Sequence, residues 1–299
     1  MLTGIAAGLA AGALWGLVFV APQLAPGFAP VDVAAGRFVC YGAMSLLVML
    51  FWRGAAWPNA CQALAAVGMS FLGFTGYYLL LVFAVRDAGV AVPSLIIGTI
   101  PIWMMLLGRP LGLSVATLLP GLLLTALGLA LMTQASLSDA SVVAHVVLPH
   151  FGRGIAISLV AMLVWTAFGL MNAAWLKKNL NVTAANWANW LGLATGLGAL
   201  ALWLALGTDL KVLAAQQGQA QAAIICIATG IGSAWLATVL WNIASQRLSA
   251  SLCGQLVVSE TVFALFYAFA LDGQSPSLAQ VMAGVLFVAG ILATIKAHG

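Results

Sequence analysis

Two ionisable side chains, Arg37 and Glu260, stand inside long apolar stretches of the chain, and they are the first candidates for chemistry. A charge at the centre of a membrane-spanning helix costs at least about 2.5 kcal/mol on insertion scales, so each needs a compensating role. Arg37 follows Asp32 closely, and two roles are open to it. It can snorkel or pair with the adjoining loop, or it can anchor a substrate carboxylate at an outer gate. Glu260 lies mid-stretch with no easy route to water. It can make a polar contact within the bundle, carry a coupling proton or bind a cation. No second acid lies near it in sequence, so a proton relay is not indicated.

Aromatic residues carry the second signal. Trp normally collects at the headgroup level, yet Trp15, Trp103, Trp165 and Trp235, four of the 11 tryptophans, fall mid-stretch. Tyr77 and Tyr78 lie likewise, just after Gly73 and Gly76, and a hydroxyl there needs a partner or a wet cavity. Rings lining a central cavity can stack on an aromatic side chain or face a flat cation; the alternative is that they fill space between helices. Asn172, Asn186, Asn189 and Asn242 suit contacts between helices, and Asn172, beyond Trp165, is the candidate among them for touching substrate. Pro93 and Pro101 free backbone carbonyls and create either a gating bend or a fixed kink.

Hydrolytic chemistry finds no footing. The three histidines, His145, His150 and His298, fall in the mid-chain polar break and the tail, no HExxH motif occurs, and aspartates sit only at the ends of apolar stretches. Neither a catalytic set nor a metal or cofactor site is expected. Cys40, Cys61, Cys226 and Cys253 show no CxxC spacing.

The elements that must hold these residues follow from composition. Of 299 residues 64% are hydrophobic and 5% charged, with mean hydropathy +1.13, against roughly 25% charged in a soluble domain. Lipid is therefore the solvent, and apolar runs of about 20 residues read as spanning helices. Breaks at Pro, Gly, Asn and charged residues predict ten, over 3–22, 33–52, 63–85, 89–108, 114–134, 154–176, 183–206, 222–245, 249–271 and 277–296. The net charge of +4 comes from scattered Lys and Arg, which excludes a nucleic-acid face.

The chain also matches itself at an offset of 150: Gly4-Ile5-Ala6, Leu14-Trp15 and Val33-Ala34-Ala35 align with Gly154-Ile155-Ala156, Val164-Trp165 and Thr183-Ala184-Ala185. At an offset of 160, Ile100-Pro101-Ile102-Trp103 faces Glu260-Thr261-Val262-Phe263. Expected units are thus residues 1–134, a linker at 135–153, and residues 154–299. Five helices per unit is an odd number, so the two copies must insert in opposite senses. With the N-terminus inside, inner loops hold Arg53, Arg109, Lys177, Lys178, Arg247 and Lys296, and outer loops hold Arg86, Arg153 and Lys211. Six against three predicts both termini in the cytoplasm. Equivalent positions of inverted repeats face one axis, which singles out Trp15 with Trp165 and Trp103 with Phe263.

Ala13-Leu14-Trp15-Gly16, Leu163-Val164-Trp165 and Val257-Val258-Ser259-Glu260-Thr261-Val262-Phe263 resemble the drug/metabolite transporter superfamily and its EamA-type repeat. The family's Glu-Pro pair is split here: Glu260 lacks the following Pro, and Pro101 lacks the preceding Glu. Length, the Ala11-to-Gly16 start and the tyrosine-rich third helix resemble more narrowly the bacterial aromatic amino acid exporters of that superfamily. The resemblance implies an inner-membrane secondary transporter, working as a monomer in the bilayer, that exports aromatic amino acids and related amphipathic metabolites by alternating access. The alternative is a multidrug exporter that takes flat cations on Glu260. A sugar-phosphate exchanger would want several buried cations, and only Arg37 is available.

Overall fold

Proline, glycine and capping residues cut the apolar chain into helices, and the computed structural model describes residues 1–140, 150–272 and 276–299. The predicted linker's central part, with His145 and Pro149, lies outside the described residues. The helices are α1 (Leu2–Leu24), α2 (Pro30–Phe51), α3 (Ala60–Ala88), α4 (Ala91–Gly98), α5 (Ile100–Leu107), α6 (Val115–Ala140), α7 (Phe151–Lys178), α8 (Ala184–Leu206), α9 (Leu210–Ala215), α10 (Gln219–Arg247), α11 (Ala250–Asp272) and α12 (Leu278–His298). No strand occurs among the described residues. Starts follow local chemistry: Pro30 occupies the first turn of α2, and Asn59–Gln62 and Ser277–Gln280 form reciprocal capping boxes on α3 and α12.

Nine of these helices are long and apolar enough to span a membrane; the predicted fourth span is not one of them. Instead of one helix over 89–108, the chain forms α4 and α5, parted at Thr99. Pro101 has no N–H for the carbonyl four residues back, and its ring crowds that turn. The Thr99 hydroxyl donates to the Ile96 carbonyl at 2.6 Å and so satisfies backbone at the break. Pro93 causes no break, because it sits in the first turn of α4 where an N–H has no helical partner. Two further features lie outside the predicted pattern: α6 continues to Ala140, past the expected end at 134, and π-helical turns interrupt α3 at Phe71–Thr75 and α10 at Gly230–Leu236.

Small residues set the packing. The Gly8, Gly12 and Gly16 stripe of α1 receives α11, while Gly4 faces Leu248 and Arg247 at the end of α10: a Cβ on Gly8 would lie 2.6 Å from Leu256 Cδ1, and one on Gly16 3.0 Å from Phe263 Cβ. α2 and α8 run antiparallel, since the start of α2 is bonded to the end of α8 and the start of α8 to the chain after α2. Asp32 accepts from Trp203 Nε1 (3.0 Å), Thr208 N (2.9 Å) and Thr208 Oγ1 (2.6 Å). At the other end Asn186 Oδ1 accepts from Ala56 N (3.2 Å), and Trp190 Nε1 donates to Ala56 O (2.7 Å). Packing partners recur across the chain: α1 lies on α10 and α11, and α7 lies on α3, α4 and α5, while α6 pairs with α12. An ion pair pins the end of α3 to the start of α7, with Arg153 donating to both Asp87 oxygens at 2.6 and 3.0 Å.

Candidate substrate chamber

Trp15 and Trp165 are joined through a third indole. Trp241 of α10 stands 5.3 Å from the Trp15 ring and 6.5 Å from the Trp165 ring, centroid to centroid. From Trp165 the contacts pass to Phe168 (6.0 Å), then Phe74 (5.5 Å), then Phe38 and Tyr41 (6.0 Å each), and from Phe38 to Tyr78 (6.1 Å). Tilted and edge-on pairs at such distances are each worth about 0.5–1.5 kcal/mol beyond their buried area. Local structure explains the ladder. Trp165 and Phe168 are three apart on one helical face. Phe74 lies in the π-turn of α3 and Trp235 in that of α10, and both pack beside Phe38 and Tyr41. A π-turn inserts an extra residue and re-aims the side chains that follow.

The ladder has an open side and a closed one. On α11 every residue from Ser251 to Leu256 is buried, whereas none from Glu260 to Ala270 is. On α3 none from Tyr77 to Phe83 is fully buried either. These C-terminal halves are thus less enclosed by protein than the N-terminal half of α11 and form the more open side of the ladder. At the opposite end Met104 of α5 fills the gap between α7 and α11. A Cβ on Gly169 would meet Met104 Cε at 2.6 Å, Gly254 faces the Met104 Cβ, and Ser251 N donates to Gly108 O at 3.0 Å. Trp241, 1% exposed, closes the same side.

Both intramembrane charges face the open side, and neither is paired. The Arg37 guanidinium rests 4.6 Å above the Phe38 ring, and its Nε is buried without a hydrogen-bond partner. Asp32, its neighbour on α2, is committed to Trp203 and Thr208. The ion pairs among the described residues are those of Asp87 with Arg86 and Arg153, so Arg37 and Glu260 are not within salt-bridge distance of each other. Two further concavities lie elsewhere, at the far end of α2. The smaller, about 230 Å³, is lined by Trp52, Asn186 and Asn189 among others, and the larger by Met44 to Arg53.

A membrane bundle with a half-open, aromatic-walled chamber has the form of a transporter, and comparison with known proteins agrees. The model of the EamA-like transporter family matches residues 2–134. That match covers a little under half of the chain, so the N-terminal part is similar to that family. The inner membrane protein YtfF of Escherichia coli (strain K12) is 29% identical over 315 residues, covering 99% of this chain and 96% of YtfF. A solved crystal structure superposes with a TM-score of 0.74 at 19% identity over 98% of each chain, which establishes the shared fold. The chain is thus similar over residues 2–134 to EamA-like transporters and over nearly its whole length to an inner membrane protein. The name YtfF carries no substrate, and neither comparison names a cargo.

The expected site residues divide into those around the chamber and those outside it. Trp15, Trp165, Tyr77, Tyr78, Arg37 and Glu260 belong to it, as does Trp235, whose N–H donates to Asn189 Oδ1 at 2.8 Å. Phe263, one turn beyond Glu260, stacks at 6.2 Å on Tyr267. The expected pairing of Phe263 with Trp103 does not form. Met104 takes the inward position on α5, which leaves its neighbour Trp103 turned out, 42% exposed, with its N–H on Thr99 Oγ1 at 3.2 Å. Asn172 is fully buried away from the chamber: it accepts from Trp187 Nε1 at 2.6 Å and donates to Asn242 Oδ1 at 3.2 Å. Trp241, Phe74, Phe168, Phe38 and Tyr41 are additional members of the ladder. Spacing from Trp165 signals Phe168; for the others, no feature of sequence sets them apart from ordinary core aromatics.

Proposed function

We propose that the protein is an inner-membrane exporter of aromatic amino acids and related small amphipathic molecules, moving them by alternating access through the aromatic chamber. The observation that carries this reading is the ring ladder running from Trp15 to Tyr78, a wall of π-faces and edges beside open space. With both termini cytoplasmic, as the basic residues favour, the open side faces outward and the Trp15–Trp241–Trp165 contact with Met104 forms the inner seal. The break at Thr99 then lets α5 move apart from α4 when that seal opens. The relationship to YtfF supports the membrane assignment.

Flux in liposomes tests it: purified protein is supplied with labelled Phe, Tyr, Trp, Leu and Lys, with and without a pH gradient. Saturable flux favouring the three aromatics is expected. Equal flux of Leu and Lys, or none at all, overturns the aromatic reading. A second reading, export of flat cations, draws on the unpaired Glu260 among aromatic rings. Flux of a flat dication that Glu260→Gln abolishes, with no flux of Phe, selects that reading instead.

A further inference from the structure

From the separated placement of Arg37 and Glu260 in one aromatic chamber, we infer that the two form a divided clamp for a zwitterion, with Arg37 taking the α-carboxylate and Glu260 the α-ammonium of a bound amino acid. This rests on the amino acid reading above and deepens it.

Four observations converge. Each charge sits in an apolar helix at a cost that a protein partner does not offset: Arg37 has a buried Nε without a partner, and Glu260 makes no hydrogen bond or ion pair among the described residues. Asp32 is unavailable to Arg37 because Trp203 and Thr208 occupy both its oxygens. No ion pair within 4.0 Å joins the two charges, so neither neutralises the other directly and each is left to a group of opposite sign. Finally, they come from α2 and α11, and rings stand beside each: Phe38 under the guanidinium, Phe263 one turn from the carboxylate. A guanidinium presents a planar fork matched to a carboxylate, and a carboxylate accepts from an ammonium; both bonds are charge-assisted.

The arrangement explains why neither charge is expendable in an otherwise apolar bundle. A direct Arg37–Glu260 bridge would be satisfied without cargo and would close the chamber. Holding the pair apart makes the ligand the missing link between α2 and α11. An amine alone or an acid alone leaves one of the two charges unmet.

Equilibrium binding to the intact purified protein, read by tryptophan fluorescence and by labelled-ligand competition, compares Phe, Leu, phenethylamine and 3-phenylpropanoate. The native protein is expected to bind Phe at least about tenfold more tightly than either one-charge analogue, since each lost charge-assisted bond is worth that or more. Arg37→Gln is expected to erase the advantage of Phe over phenethylamine, and Glu260→Gln its advantage over 3-phenylpropanoate. The native ranking needs no variant, so misfolding of either substitution leaves the test intact. Phe bound no better than both analogues, or either variant keeping the native ranking, overturns the clamp. Flux of Phe together with such a result leaves the transport reading standing without the clamp. The expected ranking without flux leaves the clamp standing without transport. Leu binding as Phe does, with the same ranking by charge, keeps the clamp and removes the aromatic preference. Binding of none of the four overturns both.

Discussion

Gly42 of α2 and Gly196 of α8 meet backbone to backbone: a Cβ on either would lie 2.8 Å from the Cα of the other. The contact is reciprocal. The two glycines are 154 positions apart (196 − 42), and α3 and α10 begin 159 apart (219 − 60), spacings that fall between the 150 and 160 offsets of the sequence. Bulk at this crossing forces apart a pair of helices clasped at both ends. Gly42→Val and Gly196→Val are each expected to destabilise by about 1–3 kcal/mol, seen as a lower unfolding midpoint in detergent. An unchanged midpoint would mean that the helices do not approach this closely.

Asp32 accepts three hydrogen bonds from the end of α8, and this governs what its substitutions do. Asp32→Ala strands Trp203 Nε1 and two donors of Thr208, whereas Asp32→Asn keeps one oxygen. The expected order of stability is native, then Asn, then Ala, with the Ala variant lower by about 1–3 kcal/mol. Thermal unfolding monitored by tryptophan fluorescence measures it, and Ala equal to native contradicts the clasp.

Asn172 separates a structural from a substrate role. Removing its amide leaves the Trp187 N–H and the Asn242 Oδ1 without partners in a buried site, while Asn242 Nδ2 keeps its bond to Ala184 O. Asn172→Ala is expected to lower stability by about 1 kcal/mol while leaving the apparent KM for transported amino acid within twofold. A large KM change in a protein of native stability would move Asn172 to the chamber.

Met104 is the wedge on the sealed side, seated between Gly169 and Gly254. Gly254→Val displaces it and is expected to bias the protein toward opening there. Cys253, fully buried beside it, reports the change. With Cys40, Cys61 and Cys226 replaced by Ser, thiol labelling of Cys253 is expected to rise several-fold in the Val variant. Labelling as slow as in the Gly254 parent refutes the wedge.

Much of the architecture was legible because lipid simplifies the pattern. Long apolar runs bounded by Pro30, Asn59, Thr183 and Ser277 can only be helices, and their ends follow from capping and charge. The break at Thr99 was half legible: Pro101 announces a disruption, but whether it bends or severs the helix depends on the Thr99 hydroxyl and on what Met104 packs against. The π-turns were not legible, since nothing distinguishes Phe71–Thr75 from ordinary α-helix until neighbouring helices press on it. Around the chamber, Arg37 and Glu260 stand out by charge, because an unpaired ionisable group in an apolar helix is costly wherever it points. Aromatic residues gave weaker guidance. Trp103 and Trp241 look alike in sequence, and only packing turns one outward and the other into the seal.

Trp241 touches both Trp15 and Trp165, so three indoles carried by three helices, α1, α7 and α10, meet at one place. A shift of α10 against either neighbour is therefore felt at both contacts, and a spectroscopic change at one indole reports on the packing of the other two.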